Sequence, residues 1–262
     1  MKLVNIGCGH HYHSDWINLD LYRSKFVTYH DIKNKLPFPA NDVDVVYDSH
    51  LLEHITKKEA KRFIDDCYRI LKPGGIMRVA IPDMEMICRE YLSNLDKGFD
   101  RGDQKAILNY MWNKIELFDQ VIRRKNGGEM LDTIKKGEFN EDYVRSRNGE
   151  ELEPMLDLRN NKGRRISFKE KMSDFLRKEN QLSRFAAGFI KKADPQRSGE
   201  AHRWMYDKLD LKILLESVGF RDFTIVKYDE SRIPRWDIYA LDKAHGGNYP
   251  RKPDSLFVEV SK

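Results

Sequence analysis

The chain reads as an α/β protein: a doubly wound sheet of the nucleotide-binding kind, interrupted by a large, mainly helical insertion after the fifth strand. Three observations predict this. Short β-branched runs alternate with a loop or a helix as far as Asp83, the pattern that folds into strands joined by crossovers. Glycines and acids stand directly after those runs. From Met84 to about residue 200 strand signals vanish, and helix formers rich in Lys, Arg and Glu take over.

In order, "KLVNI" is a short buried strand ending at Gly7, and "INLD" a second ending on Asp20. The helix between them must be very short or absent. "FVTYHDI" gives a third strand with Asp31 near its end, "LPFPAND" a loop, and "VDVVYDSH" a fourth strand. "TKKEAKRFIDDCYRILKPGG" predicts a helix capped by Thr56, with Phe63, Cys67, Ile70 and Leu71 at helical spacing and Lys72-Pro73-Gly74-Gly75 as its stop;. "IMRVAIPD" is the fifth strand, and the alternation predicts a parallel sheet.

Within the insertion "EMICREYLSNL", "QKAILNYMWNKIELFDQVIRRK" and "SFKEKMSDFLRKENQLSRFAAGFIKK" have helical periodicity;. The stretch "GGEMLDTIKKGEFNEDYVRSRNGEELEP" is too polar to place. The sheet pattern resumes with a helix from Asp207 to Gly219, then "FTIVKY" and the closing strand "SLFVEV". Residues 1–83 and 201–262 therefore form the expected core, with residues 84–200 as a lid or an oligomerisation element.

At 262 residues, with 40% hydrophobic and 34% charged side chains, a substantial core can form;. No run approaches the ~20 apolar residues of a spanning helix, and "MKLVNIGCG" enters a strand rather than a cleavable signal, so a cytoplasmic location is expected. Three cysteines without CxxC spacing argue against a disulfide framework or a zinc ribbon;. The net charge of +5 is mild and dispersed. It does not imply nucleic acid, yet suits a phosphate-bearing acceptor or a loose hold at an anionic membrane face.

In doubly wound sheets ligands bind beyond the carboxyl ends of the strands, and there the distinctive residues gather: Gly7 and Gly9, Asp20, Asp31, Ser49 and His50, and Asp83. Glycines let the backbone approach a ligand, and an acid ending the second strand can accept from both ribose hydroxyls. An adenosine-type cofactor follows. The dinucleotide fingerprint fails, because Tyr12 stands at its third glycine and Asp20 arrives well short of the usual spacing of about 20 residues. Cys8, His10, His11 and His13 crowd the same turn, so a metal-binding module competes for this stretch.

The stretches "NIGCG", "WINLD", "LPFPANDVDVVYDSHLLEH", "RILKPGGIMRVAIPD", "HRWMYD" and "RKPDSLFVEV" together resemble the class I S-adenosylmethionine (SAM)-dependent methyltransferases, and more narrowly a bacterial branch found among surface-polysaccharide genes. The resemblance covers residues 1–83 and 201–262 and implies a Rossmann-like class I methyltransferase sheet with SAM as cofactor. It further implies that Gly7, Cys8 and Gly9 line the methionine moiety, Asp20 the ribose, Asp31 with Ile32 the adenine, and that Ser49 and His50 lie beside the cofactor. Asn5 departs from the acid many such enzymes carry.

Methyl transfer to a hydroxyl needs a base. His202 and His50 are the candidates, with Asp83 as an orienting group, while His54, Trp204 and Tyr206 are candidate acceptor contacts. No N/D-P-P-Y motif follows the fourth strand, which disfavours nucleic-acid base methylation. The expected reaction is O-methylation of a sugar or glycan in surface-polysaccharide biosynthesis. N- or carboxyl-methylation of a small metabolite, and a non-catalytic SAM-binding scaffold, remain open.

Overall fold

The computed structural model describes residues 1–160 and 200–262. The predicted helix over residues 167–192 lies outside them. The chain divides into two compact units, one comprising Met1–Arg89 and Arg203–Lys262, the other Glu90–His202.

The first unit is built on seven strands in the order β3-β2-β1-β4-β5-β7-β6. They are β1 (Leu3–Ile6), β2 (Ile17–Asp20), β3 (Val27–Tyr29), β4 (Val43–Ser49), β5 (Leu71–Pro82), β6 (Arg221–Val226) and β7 (Ser255–Ser261). The first five are parallel, but β7 runs antiparallel to both β5 and β6. The sheet is thus mixed, not wholly parallel. The long connection from β6 returns the chain at the carboxyl end of β5, where Ser255 pairs with Pro82, so β7 must run backwards.

Helix α1 (Lys57–Ile70) carries the predicted cap as a complete capping box, Thr56 and Glu59 bonding reciprocally;. Its end differs from expectation. The helix stops at Ile70 and Leu71 is already extended, so Lys72-Pro73-Gly74-Gly75 falls within β5, where the pairing to β4 is irregular. Phe63, Ile64, Cys67 and Ile70 pack with Val4, Ile6, Val46, Met77 and Val258 in the main core.

The opposite face buries a smaller aromatic cluster. Trp16 and Tyr47 meet Trp236 and Tyr239 of a short helix after β6, with Trp16 edge-on to Tyr239 at 5.3 Å. Arg78 in β5 enters this layer, its Nε donating to Asp242 at 2.8 Å and its Nη1 to Glu259 at 2.9 Å. Asp242 also accepts from the Tyr47 hydroxyl at 2.6 Å. All four side chains are buried, so each charge depends on the others.

The second unit holds most of α2 (Met84–Arg101), with α3 (Gln104–Ile122), α4 (Gly128–Lys136), α5 (Glu141–Asn148) and α6 (Glu153–Asn160). The polar stretch that resisted assignment contains α4 and α5. Trp112, Ile115, Met130, Ile134, Phe139, Val144, Leu152 and Leu156 form its core. Beside it, Asn113 links Asn94, Glu116 and Tyr143 by hydrogen bonds, and burial pushes the Tyr143 hydroxyl up to about 12.

Candidate functional site

Reversal of strand order beside β1 opens a crevice at the carboxyl ends of the parallel strands, the place where such sheets bind ligands. No helix forms between β1 and β2. The chain turns sharply at Gly7 (φ +65°) and Gly9 (φ +52°), a region that L side chains rarely enter;. Gly7 donates to Leu19 O at 2.8 Å. A Cβ there would stand 2.9 Å from Leu51 Cδ1, whereas one on Gly9 would meet nothing within 4 Å.

The turn is bonded to the end of β2. Gly9 N–H donates to Asp20 Oδ2 at 2.8 Å, Leu21 N–H to Asp20 Oδ1 at 2.6 Å, and the Tyr22 hydroxyl to Gly9 O at 2.5 Å. Sequence reading missed Tyr22, two residues past the acid. Asn5, buried where an acid is common, donates to Asn18 Oδ1 at 3.3 Å and to His11 O at 3.4 Å. Asn18 in turn donates to the carbonyls of His13, Trp16 and Phe26. These two amides tie down the loop that replaces the first helix.

The histidines of that loop have separate partners. His11 Nε2 lies 3.2 Å from Ala240 O, His13 Nδ1 accepts from Asp15 N–H at 3.1 Å, and the His10 ring packs 5.2 Å from Tyr22. Burial, reinforced by the charge of Asp20, pushes the Cys8 thiol up to about 12, so at neutral pH it stays protonated.

Asp31 lies in the turn after β3 instead of within the strand, its Oδ1 accepting from Lys33 N–H at 2.9 Å, with Ile32 packed partly against the core. Ser49 ends β4, and Arg251 Nη2 reaches its hydroxyl at 3.4 Å. His50 follows in the left-handed region (φ +55°), its amide bonded to Ala80 O at 2.8 Å. Its ring spans two partners: Nδ1 lies 3.1 Å from Glu53 Oε1, and Nε2 lies 2.8 Å from Ser255 Oγ. His54 Nε2 is 4.0 Å from the same carboxylate oxygen. Sequence reasoning missed Glu53 and Ser255.

Asp48, on β4 just before Ser49, is fully buried, and neither carboxylate oxygen has a hydrogen-bond partner among the described residues. Burial, and secondarily the charge of Glu53, holds it well above the usual carboxylate range.

The remaining candidates have mixed surroundings. Asp83 accepts at Oδ1 from Met86 N–H at 3.1 Å, capping α2;. Trp204 is 39% exposed, bonds Asp210 through its indole N–H and carries Lys57 Nζ 3.7 Å above its ring. Tyr206 is buried in the main core. His202 is buried in the second unit, its amide bonded to Gln120 O at 2.9 Å.

The open space above Gly9, two positive-φ glycines and an acid ending β2 fit the methionine and ribose portions of SAM;. This strand order with reversed β7 is that of a Rossmann-like class I methyltransferase sheet, a fold that implies SAM as cofactor.

Residues 18–79 match the family described as a methyltransferase domain. A Mycolicibacterium smegmatis protein, named a "Probable S-adenosylmethionine-dependent methyltransferase", is 37% identical over 49 residues, which is 19% of this chain. The chain's match spans 18% of that relative's length. A SAM-dependent methyltransferase from Archaeoglobus fulgidus aligns over 100% of this chain and 86% of its own, at 14% identity and a TM-score of 0.41. One from Thermotoga maritima aligns over 100% and 82%, at 11% identity and a TM-score of 0.39. No helix among the described residues is long and apolar enough to cross a membrane.

Proposed function

We propose that this protein transfers the methyl group of SAM to a hydroxyl, and that the acceptor is a sugar or glycan of surface-polysaccharide biosynthesis. When bound, SAM supplies an electrophilic methyl on a sulfonium. Gly7, Cys8 and Gly9 would hold its methionine part, Asp20 its ribose, and Asp31 with Ile32 its adenine.

The observation that carries hydroxyl chemistry is His50. It stands at the carboxyl end of β4, in a strained backbone conformation, with a buried carboxylate on one ring nitrogen. A hydroxyl acceptor must lose a proton as the carbon–oxygen bond forms, whereas an amine or a carboxylate needs little such help. Support for a sugar comes from the resemblance of "LPFPANDVDVVYDSHLLEH" and "RKPDSLFVEV" to the polysaccharide-associated branch.

The deciding experiment is a screen of nucleotide sugars and oligosaccharides with SAM, read by mass spectrometry. Methylation of a sugar, abolished in His50→Ala, is expected. Methylation confined to amines or carboxylates would transfer the assignment to the small-metabolite reading, and binding of SAM with no acceptor turned over would favour the scaffold.

A further inference from the structure

The imidazole of His50 lies between two groups contributed from distant parts of the chain. Glu53 belongs to the single turn Leu52–His54 and is 1% exposed. Ser255 opens β7 and is 9% exposed. Both lie in the same compact unit as His50.

The chemistry orders the three. His50 Nδ1 stands at ion-pair distance from Glu53 Oε1, 3.1 Å, and an ionised carboxylate only accepts, so the arrangement favours a hydrogen on Nδ1;. In the neutral ring Nε2 then has the lone pair, and the Ser255 hydroxyl donates to it. The backbone conforms: the amide of His50 is fixed to Ala80 O, and Glu53 O accepts from Arg203 N–H at 2.5 Å and Trp204 N–H at 3.3 Å. A left-handed histidine with both ring nitrogens engaged is held in place at conformational cost, the mark of a positioned group.

We propose that Ser255, His50 and Glu53 form one proton-relay chain, in which Glu53 is a positioning residue for the imidazole and Ser255 passes the acceptor's proton to it. This rests on the hydroxyl-methylation reading. As the acceptor oxygen bonds the methyl carbon, the carbon–sulfur bond breaks and the sulfonium becomes a neutral thioether. The acceptor's proton goes to Ser255 Oγ, and the hydroxyl's own proton goes to His50 Nε2. The resulting imidazolium faces the Glu53 carboxylate and returns its proton to solvent after turnover.

The chain is tested without an acceptor by histidine-labelled NMR of the full protein. His50 is expected as the Nδ1–H tautomer, with its Nε2 resonance displaced in Ser255→Ala and its tautomer preference weakened in Glu53→Gln. An Nε2–H tautomer, or a Ser255→Ala spectrum identical to wild type at His50, would overturn the proposal.

With an acceptor from the sugar screen, Ser255→Ala is expected to lower kcat at least tenfold while the acceptor KM stays within about twofold. Ser255→Thr, which keeps a hydroxyl, should restore both the rate and the Nε2 signal. Lower thermal stability with unchanged kcat would reduce Ser255 to a tether between β7 and β4 and overturn the relay. Failure of the methylation reading shows differently, as wild-type protein that methylates no hydroxyl while the His50 tautomer still answers the question of the chain.

Discussion

The amide of Gly9 donates to the carboxylate of Asp20 across 2.8 Å, fastening the turn after β1 to the end of β2. That carboxylate holds the turn, and in the proposed cofactor site it also receives the ribose hydroxyls. Asp20→Ala should weaken SAM binding about 10- to 100-fold, since hydrogen bonds to charged groups contribute about 1.5–3 kcal/mol. Asp20→Asn, which keeps an acceptor for Gly9, should lose less. Calorimetry is the check, and wild-type affinity in Asp20→Ala would remove this acid from the cofactor site.

The two glycines of the turn should respond differently to a methyl group. Gly7→Ala meets both a left-handed backbone and Leu51 Cδ1, so its stability should fall by about 2 kcal/mol or more. Gly9→Ala has only the backbone penalty of about 1–2 kcal/mol, because no neighbour stands within 4 Å. Its larger effect should be on SAM affinity, as the methyl projects into the open space proposed for the cofactor. Thermal melts paired with calorimetry separate the two effects, and equal profiles would contradict the geometry.

Asp48 predicts an unusual pH dependence. Its folded-state pKa lies well above its unfolded value, so over that interval the folded protein binds the extra proton. Stability from this residue is therefore present below about pH 4 and lost as pH rises toward the folded pKa. Asp48→Asn cannot ionise and should escape the loss. Urea unfolding should find it more stable than wild type at pH 7.5;. The advantage should shrink at pH 4.5. A constant difference at both pH values would exclude titration of Asp48 as the cause.

Arg78 lies at the other extreme, a buried charge with full company. Arg78→Met would take the guanidinium from the buried Asp242 and Glu259 carboxylates, leaving Glu259 with Arg232 at 3.3 Å, and should cost about 3–5 kcal/mol;. Urea midpoints at neutral pH report this directly. A loss below about 1 kcal/mol would show that water reaches the cluster.

Much of the first unit was legible because its signals are local. β-branched runs mark the strands, Thr56 with Glu59 marks a capping box, and the cleft residues follow strand ends in register with the sheet. The direction of β7 was not, because "SLFVEV" has the same alternation whichever way it runs. Nor were α4 and α5, whose core residues Met130, Ile134, Phe139 and Val144 are diluted by charges and glycines.

The sharp turn after β1 was readable from Gly7 and Gly9, but the surroundings of His50 were not. Ser255 lies 205 residues from it in the chain, and no spacing encodes such a pairing. Glu53 did leave a trace: an acid following "SHLL" at the end of a buried strand must find a partner if it is to be buried. Arg78 left a similar one, a cation amid the apolar run "IMRVAIP".

The loop that replaces the first helix also constrains the timing of folding. His11 rests on Ala240 O, and Trp16 packs against Trp236 and Tyr239. During synthesis His11 is made 229 residues ahead of Ala240;. The loop therefore lacks these supports until Trp236, Tyr239 and Ala240 have been made. Truncation near Asp229 removes all three partners and would leave that loop without them.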